Sequence, residues 1–268
     1  MSDECDRILA WSEDIKLKLL SNQFHEDDTR RAFIQMIYDG AYRYYLGIAF
    51  LELMRLSNKK LIGYREEIRY FEHHVNRLTE TTNSKILEAS QFNFLNRSLL
   101  MDSWSSFELC CTTLVGCLVT EKERDHILSW EFRNLKKLIP KTEFSEELQE
   151  KLKKKMTAKS LVHVPIIRKY DFLFKKCESY NGNEIADREF LKFVGKFRNT
   201  VHSNFIYHGT SYEYTLNGVH FKFENRKAVV WTDGTTKVYF DMLDRLLEIW
   251  DNLCSCIDYQ GICTHPHE

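Results

Sequence analysis

Apolar residues recur every three to four positions along most of this chain, the period that turns one face of an α-helix toward a core. Residues 3–21 carry Ile8, Leu9, Trp11, Ile15, Leu19 and Leu20 in this spacing. From Asp28-Thr29, a pair suited to capping, a long helix is predicted to about Leu56, with Phe33, Ile37, Tyr44, Ile48 and Leu51 on its apolar stripe and Tyr45 and Leu53 widening it. Residues 59–79 read as a more solvated amphipathic helix bearing Ile62, Ile68, Phe71, Val75 and Leu78. A helical stretch follows over 83–119, with an interruption expected near Asn93–Asn96. Its second half, LLMDSWSSFELCCTTLVGCLV, is apolar nearly all round, which places it at the centre of a bundle.

A shorter helix is expected at about 121–138, ending before Pro140. The segment 140–160 is charged and reads as a surface helix or connector; its Lys153-Lys154-Lys155 run is either a solvated face or an RNA-binding patch. Residues 161–179 return to the helical period with Pro165 in the first turn, and after Asn181-Gly182-Asn183 a helix runs over about 184–202. The period then changes to two. Tyr212–Leu216 and Val219–Glu224 alternate on either side of Asn217-Gly218, the dipeptide that best specifies a tight hairpin. Lys227–Trp231 offers a third strand, and residues 236–257 close with a helix bearing Val238, Met242, Leu246, Ile249 and Leu253. The fold class expected is mainly α, a helical bundle with a small antiparallel three-stranded sheet inserted before the C-terminal helix. It is read as one domain over 1–268, with N-terminal helices over 1–80, a bundle over 83–257 that carries the β insertion at about 205–232, and a tail over 258–268.

Composition agrees. Three prolines and ten glycines in 268 residues permit long helices and disfavour a turn-rich β fold. Lys plus Arg (38) balance Asp plus Glu (39), which argues against a polycation that coats nucleic acid and leaves only local basic faces. No apolar run reaches the roughly 20 residues needed to span a bilayer, and the N-terminus lacks an apolar signal region, so a cytoplasmic protein without a membrane anchor is expected. Eight cysteines, at 5, 110, 111, 117, 177, 254, 256 and 263, are expected as buried free thiols in that compartment. Cys254, Cys256, Cys263, His265 and His267 have zinc-compatible side chains, but C-x-C lacks zinc-knuckle spacing, so no metal is assigned. His73-His74 reads as surface. Phosphate-loop, G-x-G-x-x-G, H-E-x-x-H and G-x-S-x-G signatures are all absent, which argues against a nucleotide triphosphatase or a Rossmann dehydrogenase and leaves no cofactor to assign.

One segment carries chemistry: Arg198-Asn199-Thr200-Val201-His202-Ser203-Asn204, at the end of a helix whose apolar face is Phe190, Phe193, Val194 and Phe197. Arg198 and His202 are four apart, and Asn199 and His202 three apart, so the side chains neighbour one another on a helix. A guanidinium can hold phosphate oxygens, an imidazole can take or give a proton near neutral pH, and an amide can orient either group. With a ribose 2′-hydroxyl as nucleophile, no metal is required. The plain alternative is an i,i+4 pair in which the histidine serves the helix terminus.

This stretch resembles the signature of the HEPN superfamily, all-helical domains of which many are metal-independent RNases in toxin–antitoxin, abortive-infection and other defence systems. Their motif is an arginine, a polar residue, and a histidine after four to six intervening residues. Arg198 and Asn199 match the first two and His202 stands for the third, with three residues intervening; the next histidine, His208, lies beyond nine. The likeness covers some ten residues, with a looser helical likeness over 83–257. It implies Arg198 as phosphate clamp, Asn199 as orienter and His202 as general acid or base. Glu108 is the candidate for an acidic residue on an earlier helix, since a carboxylate there needs a cationic partner; the alternative is an ordinary exposed glutamate. The resemblance further implies a homodimer with a composite RNA site, and an antitoxin or other protein partner. Tyr207, Tyr212 and Tyr214 either stack on bases or form cross-strand pairs. The competing reading is a non-catalytic HEPN-like module that dimerises or binds a nucleotide or protein.

Overall fold

The computed structural model describes residues 2–57, 84–157, 160–232 and 237–264. Among them lie nine α-helices and one three-stranded sheet. The helices are α1 (Ser2–Ser21), α2 (Thr29–Ser57), α3 (Ser84–Leu118), α4 (Glu121–Leu128), α5 (Arg133–Leu138), α6 (Glu146–Lys155), α7 (Ile166–Lys176), α8 (Glu184–His202) and α9 (Lys237–Cys256). The strands are β1 (Tyr212–Leu216), β2 (Val219–Phe223) and β3 (Val230–Trp231), inserted between α8 and α9 as expected. The helix read over 59–79, with His73-His74, lies outside the described residues.

Several boundaries differ from expectation. Helix α3 runs unbroken past Asn93–Asn96, because buried Asn96 accepts a hydrogen bond from the Tyr44 hydroxyl (2.8 Å) and so is satisfied in a helical interior. The helix expected over 121–138 is two, α4 and α5. Thr120 and Glu123 form a capping box that starts α4, and the Ser129 hydroxyl, bonded back to the Asp125 carbonyl (2.7 Å), marks its end. Helix α6 buries no side chain. Within it Lys151 pairs with Glu147 (2.6 Å) and Lys153 with Glu150 (2.7 Å), and the lysine run stands on an exposed surface. The third strand shrinks to two residues, with an isolated bridge between Ile206 and Ala228.

The chain divides into two compact units, each drawn from three separated stretches: Met1–Gln23, Ile34–Trp104 and Lys196–Asp244 in the first, Phe24–Phe33, Ser105–Gly195 and Arg245–Glu268 in the second. In the first, Ile8 and Ile15 of α1, Ile37, Ala41 and Ile48 of α2, and Leu243 of α9 are buried. Trp11 packs edge-on to Phe240 at 4.7 Å, and its indole N–H donates to Asp244 (2.6 Å). The sheet pairs Tyr212 with Phe223 and Leu216 with Val219, which leaves Asn217 and Gly218 as a two-residue loop. Both have positive φ (47° and 82°), as a type I′ turn requires. The second unit is built on the Phe33, Phe107 and Trp250 rings, 5.3 to 5.9 Å apart, with Cys111, Leu114, Leu173, Phe193 and Leu253 fully buried.

The second unit also corrects the thiol expectation: Cys177 and Cys256 are joined in a disulfide, their Cα atoms 5.0 Å apart. They are 79 residues apart in sequence, and nothing local in either segment points to the other. Cys110, Cys111, Cys117, Cys254 and Cys263 are free thiols.

Candidate functional site

The apolar residues Phe197 and Val201 sink one side of the last turns of α8 into the first unit's core. That leaves Asn199 and His202 on the outside and Arg198 half buried. The helix ends in a left-handed turn. The Phe205 N–H donates to the Thr200 carbonyl (2.6 Å), with Asn204 at φ 52° in the position that such an end motif gives to Gly or Asn. Phe205 is itself left-handed, at φ 63°. A bulky residue there costs conformational energy, and such costs concentrate at functional positions. Arg97 of α3 steadies the turn: its Nη2 donates to the Val201 carbonyl (3.1 Å) and its guanidinium lies 5.1 Å from the Phe205 ring.

Arg198 Nη1 donates to Asn199 Oδ1 (3.2 Å), while its Nε is buried without a hydrogen-bond partner. The His202 ring makes no hydrogen bond to any described residue. Beside them a cavity of about 310 Å³ is lined by Lys196, Asn199, Thr200, Ser203, Ile206, Tyr207, His208, Gly209 and Thr210. Asn199 reaches it; neither Arg198 nor His202 lines it. The cation that does is Lys196, whose ammonium donates to the Tyr207 hydroxyl (2.7 Å), which in turn donates to the Thr210 carbonyl (2.8 Å). Among the described residues Lys196 has no carboxylate partner.

Lys196 and His208 are thus the residues that sequence reasoning did not assign. Lys196 precedes Arg198 by two, off the i,i+4 face, and His208 looked like strand. His208 belongs to no strand; the pairing beyond the Ile206–Ala228 bridge stops at Tyr207, whose N–H donates to the Lys227 carbonyl (2.9 Å) and whose carbonyl accepts from the Arg226 N–H (2.8 Å). Tyr207, Tyr212 and Tyr214 belong to the sheet's aromatic cluster: Tyr207 and Tyr212 contact Phe223 at 5.3 and 5.6 Å, and Tyr212 stacks on Tyr214 at 6.5 Å.

Glu108 belongs to the second unit, where it is half exposed and has Lys169 as its cationic neighbour. Lys169 is 4% exposed and donates to the Thr112 hydroxyl (2.8 Å). Burial pulls its ammonium below the usual lysine range, against the fields of Cys111 and Glu108. Glu108 thus lies within the field of a buried lysine.

The second unit has its own cavity, of about 490 Å³, where the Arg168 guanidinium lies 5.6 Å from the Trp130 ring centroid and Lys122 and Lys175 contribute further positive charge. Among the described residues no group of three or more His, Cys, Asp or Glu side chains is arranged to hold a metal ion, and no helix is long and apolar enough to cross a membrane. In the C-terminal set, Cys256 is held in the disulfide and His265 and His267 lie outside the described residues. Compared with family models, curated proteins and solved structures, the chain finds no match in any of the three.

Proposed function

We propose that the chain is a HEPN-like, metal-independent ribonuclease of the cytoplasm that engages RNA at the C-terminal end of α8. The observation that carries this reading is the set of polar groups held open there. Lys196, Asn199 and His208 share one cavity, and His202, one turn beyond Arg198, has a ring free of internal bonds. Lys196 and Arg198 supply positive charge for a phosphate, Asn199 supplies a donor, and His202 and His208, six residues apart, supply two exposed imidazoles. In such a site one imidazole takes the proton from the ribose 2′-hydroxyl while the other protonates the leaving 5′-oxygen, so bond cleavage yields a 2′,3′-cyclic phosphate without metal. A homodimer pairing two α8 ends, and a partner protein that restrains the activity in a defence setting, complete the reading.

The second reading, a non-catalytic HEPN-like module that dimerises or binds a nucleotide or protein, is favoured by one contact: Arg198 is bonded to Asn199 rather than held free.

The deciding experiment incubates purified protein with total RNA in chelator, wild type beside Arg198→Ala, His202→Ala and His208→Ala. Cleavage abolished by His202→Ala in a folded protein is the expected result. Cleavage that survives His202→Ala and vanishes in His208→Ala moves the proton transfer wholly to the cavity. RNA retained on a filter but never cut by wild type leaves the binding module.

A further inference from the structure

The cavity of the second unit is walled by α4 and the turn after it on one side and by α7 on the other. Lys122, His126 and Trp130 line it at intervals of four from the first wall, and Arg168, Phe172 and Lys175 at intervals of four and three from the second. On α7 that spacing sets all three on one side of the helix. Its volume, about 490 Å³, lies within the range of roughly 300–1,000 Å³ that small-molecule sites occupy.

Four cations and two carboxylates line this space, and both carboxylates are already bonded inside the protein. Glu123 accepts from the Lys176 ammonium (2.8 Å) and from the Thr120 N–H (3.1 Å), and Asp171 is paired with Arg188. Among the described residues no carboxylate pairs with Lys122, Arg168 or Lys175, and all three are exposed. The cavity therefore presents unneutralised positive charge.

The rings and the ammonium groups stand at opposite ends. At one end the Arg168 guanidinium lies 5.6 Å from the centroid of the half-exposed Trp130 ring. At the other, the Glu123–Lys176 pair holds the start of α4 against the end of α7, and Lys122 and Lys175 flank that pair in sequence. Seven residues of α7 separate Arg168 from Lys175, roughly 10 Å along the helix axis. The floor between the two ends is apolar, with Ile127 and Phe172 buried.

We propose that this cavity binds a free purine nucleoside di- or triphosphate, with its base on the Trp130–Arg168 surface and its phosphates against Lys122 and Lys175. An indole and a guanidinium both offer flat faces to a base, and two fused rings cover more of them than one. Exposed ammonium groups attract phosphate oxygens. The separation of the two ends selects a ligand whose planar and anionic parts are joined by a spacer, as ribose joins them in a nucleotide. A phosphate alone leaves Trp130 uncovered, and a nucleoside alone leaves the lysines unanswered. The proposal does not rest on the reading of α8, since no residue of that site lines this cavity.

The test titrates ADP into the full chain, followed by calorimetry and by tryptophan fluorescence, beside inorganic triphosphate and adenosine. The expected result is saturable ADP binding that quenches fluorescence, with triphosphate and adenosine each weaker by roughly tenfold or more. Trp130→Ala weakens ADP by about tenfold, the loss that removing one base–ring stack produces. Trp130→Phe keeps most of the affinity and removes the quench. Lys122→Ala combined with Lys175→Ala weakens ADP, reduces the salt dependence of its binding and leaves adenosine unchanged. Lys151→Ala, on the exposed surface of α6, binds ADP as wild type does. No ADP binding by wild type, triphosphate held as tightly as ADP, or full ADP affinity in Trp130→Ala overturns the proposal. A short 5′-phosphorylated RNA that displaces ADP at a lower concentration than ADP itself requires assigns the cavity to an RNA end, and overturns the free nucleotide as its ligand.

Discussion

The first turn of α2 and the last turn of α8 each set an arginine beside a short polar side chain, and they use it in opposite ways. Arg30 spends every arm inside the protein: Asp28, the Tyr259 and Gly261 carbonyls and the Phe24 ring at 4.0 Å all receive it, and its side chain is 6% exposed. Arg198 gives one bond to Asn199 and keeps a buried Nε without any, beside a histidine with no internal partner. A structural arginine cannot leave donors unsatisfied in a dry interior, because each costs about 1–3 kcal/mol. In the function proposed above, the spare donor of Arg198 is the group that a phosphate would meet. The difference separates a fastening from the proposed site, although each is an arginine near a helix terminus.

The sharpest way to break this comparison is to remove each arginine. Arg30→Ala leaves the buried Asp28 carboxylate uncompensated and should lower unfolding stability by about 3–5 kcal/mol, read in urea titrations; a loss no greater than that of an ordinary surface substitution would overturn the fastening role. The same pair predicts a pH dependence. Burial raises the Asp28 carboxyl, but its hydrogen bonds from the Arg30 side chain and from the Arg30 and Cys263 peptide groups win and leave it below the usual carboxylate range. A depressed carboxyl contributes its stability above the unfolded carboxylate pKa and loses it as pH falls through the folded value. Urea midpoints should therefore fall more steeply with acidification in wild type than in Asp28→Asn.

Next in size, Cys177→Ser should cost about 2–4 kcal/mol through the unfolded chain that its loop constrains, and dithiothreitol should lower the wild-type unfolding midpoint to that of the variant. Gly218→Ala, at φ 82°, should cost about 1 kcal/mol, seen as a small loss of melting temperature with the helical circular dichroism unchanged. Smallest of all is Arg198→Ala. Truncating this half-exposed side chain loses one internal bond and relieves one unpartnered donor, opposing effects that should leave stability within about 0.5 kcal/mol of wild type, while RNA binding or cleavage falls. If its stability loss matches that of Arg30→Ala, the two arginines are the same kind of residue and the contrast fails.

Much of the architecture was readable because it is written in local periods. Isoleucines 8, 15, 37 and 48 fall on buried faces as their spacing demands, and Asn217-Gly218 makes its turn with the registers it implies. What local patterning cannot show is which distant group satisfies a polar residue. Asn96 looked like a break until Tyr44 reached it, Cys177 and Cys256 found each other across 79 residues, and the field that Glu108 shares is that of buried Lys169, 61 positions away. At the candidate site the sequence located the helix end and the open His202. It missed Lys196 and His208, because the cavity is shaped by the chain reversal at Asn204 and Phe205, a backbone property that no spacing rule reports.

The hydrogen bond from Trp11 to Asp244 spans 233 positions, and those from Arg30 to the C-terminal segment span about as many. Ribosomes add roughly 5–20 residues per second. The indole and guanidinium of the first helices must therefore wait on the order of ten seconds or more after emerging before their acceptors exist. The hairpin closes on itself within microseconds of leaving the tunnel. During that wait the apolar stripe of α1 lacks its partners in α9, and no intrinsic folding speed completes those contacts before the last helix has been made.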